Sequence, residues 1–209
     1  MAGGNKNIKN VLITGMPGCG KTTLCLTIKE VLEGEGFKVG GLMTPEVREG
    51  GRRVAFKLVD LLDGEEGLLA TVKGGKGPRV GRYTVLVEEI DRVGVKAIEK
   101  ALREADVVLI DEIGKMELFS DRFKLAVEKA LNSEKPVLAT LHRTLKNVYR
   151  SRGDTLVIWL ERGRFNQVKE RVLGILLGVL KRGRKKDLRD RRSGERAGSR
   201  AVSCRRSSF

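Results

Sequence analysis

One histidine, three cysteines and four prolines in 209 residues remove several kinds of chemistry from consideration. Cys19, Cys25 and Cys204 are an odd set at no paired spacing, so the sequence carries no disulfide framework, and it fits a reducing, cytoplasmic compartment. With His142 alone and the cysteines scattered, no zinc constellation can be assembled. The scarcity of proline beside 26 glycines implies tight turns without long rigid linkers. Long apolar runs are also missing. The opening MAGGNKNIKN lacks the hydrophobic stretch of a signal peptide. The late run VLGILLGVL at 172–180 falls well short of the roughly 20 residues needed to cross a bilayer.

What is present is a chain of ordinary domain length that can bury a core, with a formal net charge of +15. That charge is uneven. From Lys181 onward there are 12 Lys/Arg against 3 Asp/Glu, a net +9, which leaves +6 for residues 1–180. Residues 181–209 therefore read as a basic, disordered tail with few large apolar residues. Nucleic acid is a candidate partner for it through phosphate contacts; a solvated appendage is the blander reading.

In residues 1–180, NVLIT (10–14) reads as a buried strand, followed by a helix from Lys21 to about Glu33 with Leu24, Leu26, Ile28, Val31 and Leu32 as its apolar positions. FKVGGLM (37–43) is a second strand. Between about 44 and 87, the β-like runs VAFKLVDL, GLLATV and RYTVLVE alternate with glycine-rich turns, which predicts an inserted antiparallel segment. Helical spacing returns at 91–104. The strand DVVLID, a helix near 120–132, the strand KPVLATLH, a polar link over Arg143–Asp154, the strand TLVIWL and a helix over about 165–181 complete the chain. Strands alternating with helices predict an α/β fold with a mostly parallel sheet and helices on both faces.

GMPGCGKT at 15–22 matches G-x-x-x-x-G-K-[ST], with a strand before it and a helix after. Glycines at Gly15, Gly18 and Gly20 let the backbone, with Met16, Pro17 and Cys19, wrap around phosphate oxygens, and N–H groups at the helix start face the anion. Lys21 is expected to reach the β and γ phosphates, Thr22 to place its hydroxyl on Mg²⁺, and Thr23 to continue the helix. Cys19 reads as a small filler.

VVLID ends on Asp111, followed directly by Glu112. Neighbours on a strand point to opposite faces, so a carboxylate pair makes sense where the strand leaves its sheet, at the carboxyl edge where open α/β sheets bind ligands. Asp111 is then the acid on the Mg²⁺ side, acting through water, and Glu112 the base that orients and deprotonates a water. Thr140, at the end of the KPVLATLH strand with His142, is a candidate to sense the γ-phosphate or fix the water, while His142 stays outside the catalytic set. Lys115, Arg48, Arg52 and Arg164 are candidate cations for the transferring phosphoryl group.

LITGMPGCGKTTL, GLMTPEVREGGRRVAFKLVDL, RVGRYTVLVEE and VVLIDEIGKMELFS, with KPVLATLH, together resemble the THEP-type, or cancer-related, nucleoside-triphosphatases over about Asn7 to Leu180. The resemblance implies a P-loop NTPase with a RecA-like sheet and extra antiparallel strands. It further implies Mg²⁺-dependent hydrolysis of ATP, GTP and other nucleoside triphosphates, slowly and with broad base tolerance. Gly15 to Thr22 would bind phosphate, Asp111 would serve magnesium and Glu112 would be the base. The family's Asn-Arg-Asp-like element corresponds here to ERGRFNQ, placing Arg164 at its arginine with different neighbours. A small-molecule or nucleotide kinase, and a nucleic-acid-linked ATPase using the tail, are alternative readings of the same motifs.

Overall fold

The alternation of side chains along two strands sets the layering. In β1 (Asn10–Gly15), Val11 and Ile13 enter one apolar cluster and Leu12 the other. In Val107–Ile113, Val107 and Leu109 face the first cluster, Val108 and Ile110 the second. Both strands are buried on both faces, as a sheet sandwiched between helical layers requires. The computed structural model describes residues 8–203, with side chains described for 8–185.

After β1 come α1 (Lys21–Gly34), β2 (Val39–Met43), and the insertion strands β3 (Glu46–Glu49), β4 (Arg52–Asp60), β5 (Glu66–Thr71), β6 (Arg79–Val80) and β7 (Tyr83–Val85). A short α2 (Val87–Glu89) and a π-helical turn lead into α3 (Lys96–Glu104). The chain continues through β8 (Val107–Ile113), α4 (Asp121–Asn132), β9 (Val137–Leu141), α5 (Lys146–Arg150), β10 (Thr155–Leu160) and α6 (Phe165–Ser203). The single sheet runs β10-β1-β9-β8-β2-β4-β5-β7-β6, with β3 paired to β4. Its first five strands are all parallel. The insertion extends the sheet antiparallel from β2, beginning at Leu42↔Asp60 and Met43↔Val59.

This order separates the first strand from the acid-bearing β8 by one strand, β9. After β1 the chain leaves to α1, whose Leu24, Ile28 and Leu32 join the cluster shared with α6. After β9 it leaves to α5, whose Tyr149 lies in the opposite cluster with Phe123 of α4. Connections that depart to opposite faces from adjacent strands open a crevice at their carboxyl ends. The phosphate-loop motif and both acids lie there.

Three expectations differ from the observed elements. Cys25, not Leu26, faces the sheet from α1, while Leu26 and Val31 are surface residues. The polar link at 143–154 contains α5 and a 3₁₀ turn. The last helix, expected over 165–181, continues as α6 to Ser203, so the segment expected to be disordered carries helical backbone up to that residue. Arg and Lys are good helix formers, so a helix nucleated by the apolar face of 168–180 propagates into them cheaply. Its first turn beyond 181 is also anchored: the Arg184 guanidinium stacks 3.8 Å from the Phe37 ring centroid and donates to the Gly36 carbonyl. The contacts expected between the tail and nucleic acid fall mainly on side chains outside the described residues.

The helical layer over the second face depends on well-filled volume. Phe123, without solvent exposure, and Leu125, 71% exposed, sit two residues apart on α4. Phe123→Ala should cost about 3–5 kcal/mol through lost burial and a residual cavity, and Leu125→Ala should stay within about 0.5 kcal/mol. Denaturant melts of the two variants check this; equal losses would mean that α4 does not pack as described.

Candidate functional site

The loop after β1 is shaped by what a side chain would collide with. A Cβ on Gly15 would lie 2.6 Å from the Leu160 carbonyl oxygen and 2.9 Å from Cys19 Sγ, so the turn closes only around glycine. At the other end, Gly20 has φ +97°, a left-handed conformation that glycine adopts without penalty, and it starts α1 with no side-chain cap. The first-turn N–H groups of α1 are thus left without a capping side chain. With the helix dipole they form an anion-binding end. Lys21 Nζ folds back over the loop, donating to the carbonyls of Gly15 (3.4 Å) and Met16 (3.3 Å).

Facing this loop is the end of β8, where the expectation of a strand ending at Asp111 is corrected. β8 runs on to Ile113, but its ladder with β9 jumps from Ile110↔Ala139 to Ile113↔Leu141. Three steps on β8 match two on β9, a bulge that releases Asp111 and Glu112 from the β9 ladder and re-aims their side chains. The pair therefore shares one crevice by local irregularity inside the strand. The peptide between the two residues is cis.

Asp111 is 2% exposed and receives two hydroxyl donors. Thr22 Oγ1 lies 2.9 Å from Oδ2 and 3.2 Å from Oδ1, and Thr140 Oγ1 donates to Oδ1 at 2.6 Å. Burial raises the Asp111 carboxyl above its usual range, with the Thr140 and Thr22 donors and the Lys21 charge opposing that rise. Burial also raises Glu112; Lys21 opposes this and the Asp111 charge adds to it. Thr140 thus reaches the site through Asp111. The donor set, a threonine hydroxyl beside a buried carboxylate, is all oxygen. It suits a hard divalent cation that keeps waters and takes remaining ligands from phosphate. No group of three or more His, Cys, Asp or Glu fit to hold a metal occurs among the described residues.

A cavity of about 470 Å³ lies over the loop. Pro17, Gly18, Lys21, Thr22, Thr23 and Glu112 line its near side. The far wall was not foreseen from sequence: Glu46, Arg53 and Phe56 come from the insertion, and Arg143 follows β9. A second cavity of about 290 Å³ shares Thr22, Glu46, Phe56, Glu112 and His142 with the first and is floored by Lys115, Met116 and Glu117. Glu117 is buried; desolvation pushes its carboxyl up to about 8, against donors from its own backbone N–H and that of Gly114.

The candidate cations separate clearly. Lys115 lines the second cavity. Arg48 bonds Glu46 and the Gly51 carbonyl, and the exposed Arg52 does not line either cavity. Arg164 is turned away to Gln167 and Glu161 and lines a separate groove beside β10. Met16 is half-exposed beside Arg143, whose Nη1 lies 3.5 Å from its sulfur. His142 Nδ1 accepts from the Thr144 backbone N–H and lies 2.8 Å from the Thr144 hydroxyl, engaged in capping the 3₁₀ turn. Cys25 is a buried thiol raised by desolvation, an inert packing group.

A family model described as “NTPase” matches residues 10–173. Nucleoside-triphosphatase THEP1 of Thermofilum pendens is 59% identical over 145 residues, 69% of this chain and 80% of that protein. Its namesake in Methanocaldococcus jannaschii is 46% identical over 171 residues, 82% of this chain and 99% of that one. The crystal structure of THEP1 from the hyperthermophile Aquifex aeolicus matches with a TM-score of 0.68 at 31% identity, over 80% of this chain and 98% of its own. The solution structure of a human cancer-related nucleoside triphosphatase matches with a TM-score of 0.67 at 35% identity, over 79% and 96%. With a matching family model over most of its length and the same P-loop architecture, this chain belongs to the THEP1 family of nucleoside-triphosphatases.

Proposed function

We propose that the protein is a Mg²⁺-dependent phosphohydrolase that cleaves ATP, GTP and other nucleoside triphosphates to the diphosphate and phosphate. The observation that carries this reading is the convergence of Lys21, Thr22 and Glu112 on one cavity over an uncapped helix N-terminus, with the buried Asp111 bonded to Thr22 at its edge.

The phosphates lie along the Gly15–Thr22 backbone, with Lys21 leaving its two loop carbonyls to reach the β and γ groups. Thr22 and, through water, Asp111 would hold magnesium, which supplies charge neutralisation to the phosphate oxygens. Thr140 fixes the Asp111 carboxylate in its orientation. Glu112 lines the same cavity without being held by the β9 ladder, so its carboxylate is available to a water. That water's oxygen bonds to the γ-phosphorus as the bond to the β–γ bridging oxygen breaks. The electron pair leaves with the diphosphate, and the water's proton passes to Glu112. A kinase would call for a mobile lid over an acceptor, whereas the 46–85 insertion is paired into the main sheet at β2. The free thiols of Cys19 and Cys25 agree with a cytoplasmic setting, and no helix among the described residues is long and apolar enough to cross a membrane.

The test is phosphate and diphosphate release from ATP, GTP, CTP and UTP with magnesium and no acceptor. All four should be turned over, and Lys21→Ala should abolish release; turnover that survives Lys21→Ala, or that appears only with an added acceptor, contradicts the reading. Glu112→Gln should lower kcat by about 10²–10⁴ while nucleotide still binds. A Glu112→Gln protein as fast as wild type would remove Glu112 from the role of base.

A further inference from the structure

We propose that Arg53, delivered by the inserted strands, is an arginine acting within its own chain on the γ-phosphate during hydrolysis. This deepens the hydrolase reading and rests on it.

Lys21 belongs to the loop and approaches phosphate from the α1 side. Charge that develops on the transferring group also needs a donor from the opposite wall, and the loop motif supplies none. Of the arginines in the insertion, Arg53 is the one lining the 470 Å³ cavity shared with Lys21, Thr22 and Glu112. Its position is built rather than incidental. The Arg53 backbone carbonyl accepts from Tyr83 Oη at 3.2 Å and from the Arg82 guanidinium. β4 is held between β3 and β5. The guanidinium carbon lies 5.2 Å from the centroid of Phe56, whose ring meets Tyr83 edge-on at 5.2 Å between centroids. The aromatic pair fixes the plane of the fork without using its N–H groups.

Those N–H groups are largely unspent. One Nη ion-pairs with Glu46, while the buried Nε has no hydrogen-bond partner within the protein. Glu46 is itself shared, since its other carboxylate oxygen takes Arg48 at 2.8 Å. A phosphate arriving in the cavity can therefore draw the Arg53 fork away from Glu46 without leaving that carboxylate uncompensated. Bidentate contact with phosphate oxygens is the geometry in which arginine exceeds lysine. Arg52, next in sequence, is exposed and lines neither cavity. It carries the same charge and so makes a matched control.

The experiment compares wild type, Arg53→Ala, Arg53→Lys and Arg52→Ala for GTP turnover with magnesium, for GDP affinity, and for trapping of GDP with aluminium fluoride. Arg53→Ala should lower kcat at least about tenfold, leave the GDP Kd within about twofold and lose the aluminium fluoride complex. Arg53→Lys should recover turnover only in part, and Arg52→Ala should match wild type. The proposal is overturned if Arg53→Ala keeps both its kcat and its trapping, or if GDP affinity falls in parallel with kcat. Should Arg53→Ala not fold, Arg53→Lys decides: wild-type kcat and trapping there overturn it equally. Wild type that binds GTP but releases no phosphate marks instead the failure of the hydrolase reading, and with it any catalytic role for Arg53.

Discussion

Everything at this site turns on one buried carboxylate. Asp111 joins three elements that are distant in sequence: the start of α1 through Thr22, the end of β9 through Thr140, and its own strand β8. A carboxylate taken out of water is costly unless it is hydrogen-bonded or paired. The two hydroxyl donors meet part of that cost and a bound cation would meet the rest. Because they come from the phosphate loop and from the intervening strand, the interaction also fixes the distance between the loop and Glu112. The bulge between Ile110 and Ile113 is what allows Asp111 to be tied down while its neighbour stays available.

The insertion is the second half of the design. A parallel five-stranded core with its loops would leave the phosphate cavity open on the β2 side. The antiparallel extension closes that side with Glu46, Arg53 and Phe56, carried on strands that are hydrogen-bonded into the main sheet. The added wall is thus continuous with the main sheet through β4. In the proposed reaction, this means that a donor opposite Lys21 can come from the same chain.

Much of this was legible in the sequence, and the reasons are physical. The phosphate loop is a local object whose glycines are demanded by backbone approach and φ, so Gly15 and Gly20 can be read without knowing the fold. The buried strands β1, β8 and β9 announce themselves as short apolar runs, and the carboxyl-edge rule then brings Asp111, Thr140 and Thr22 together. Arg53 was not legible. Arg52 and Arg53 point to opposite faces of β4, and which one meets the cavity depends on strand register, interrupted by irregularities at Val47/Arg48 and Phe56/Lys57. The direction of Arg164 likewise follows from its pairing with Gln167 and Glu161, which spacing alone does not reveal. Composition suggested disorder from Lys181 onward, yet helix propagation and the stacking of Arg184 on Phe37 carry the backbone further.

In the proposed reaction two adjacent acids divide the labour, Asp111 for the metal and Glu112 for the water. Mn²⁺ binding in the presence of a nucleoside diphosphate, followed by electron paramagnetic resonance, separates the two directly. Asp111→Asn should weaken Mn²⁺ binding markedly, whereas Glu112→Gln should bind Mn²⁺ as wild type does. Equal weakening in both variants, or loss of Mn²⁺ binding in Glu112→Gln alone, would contradict the account.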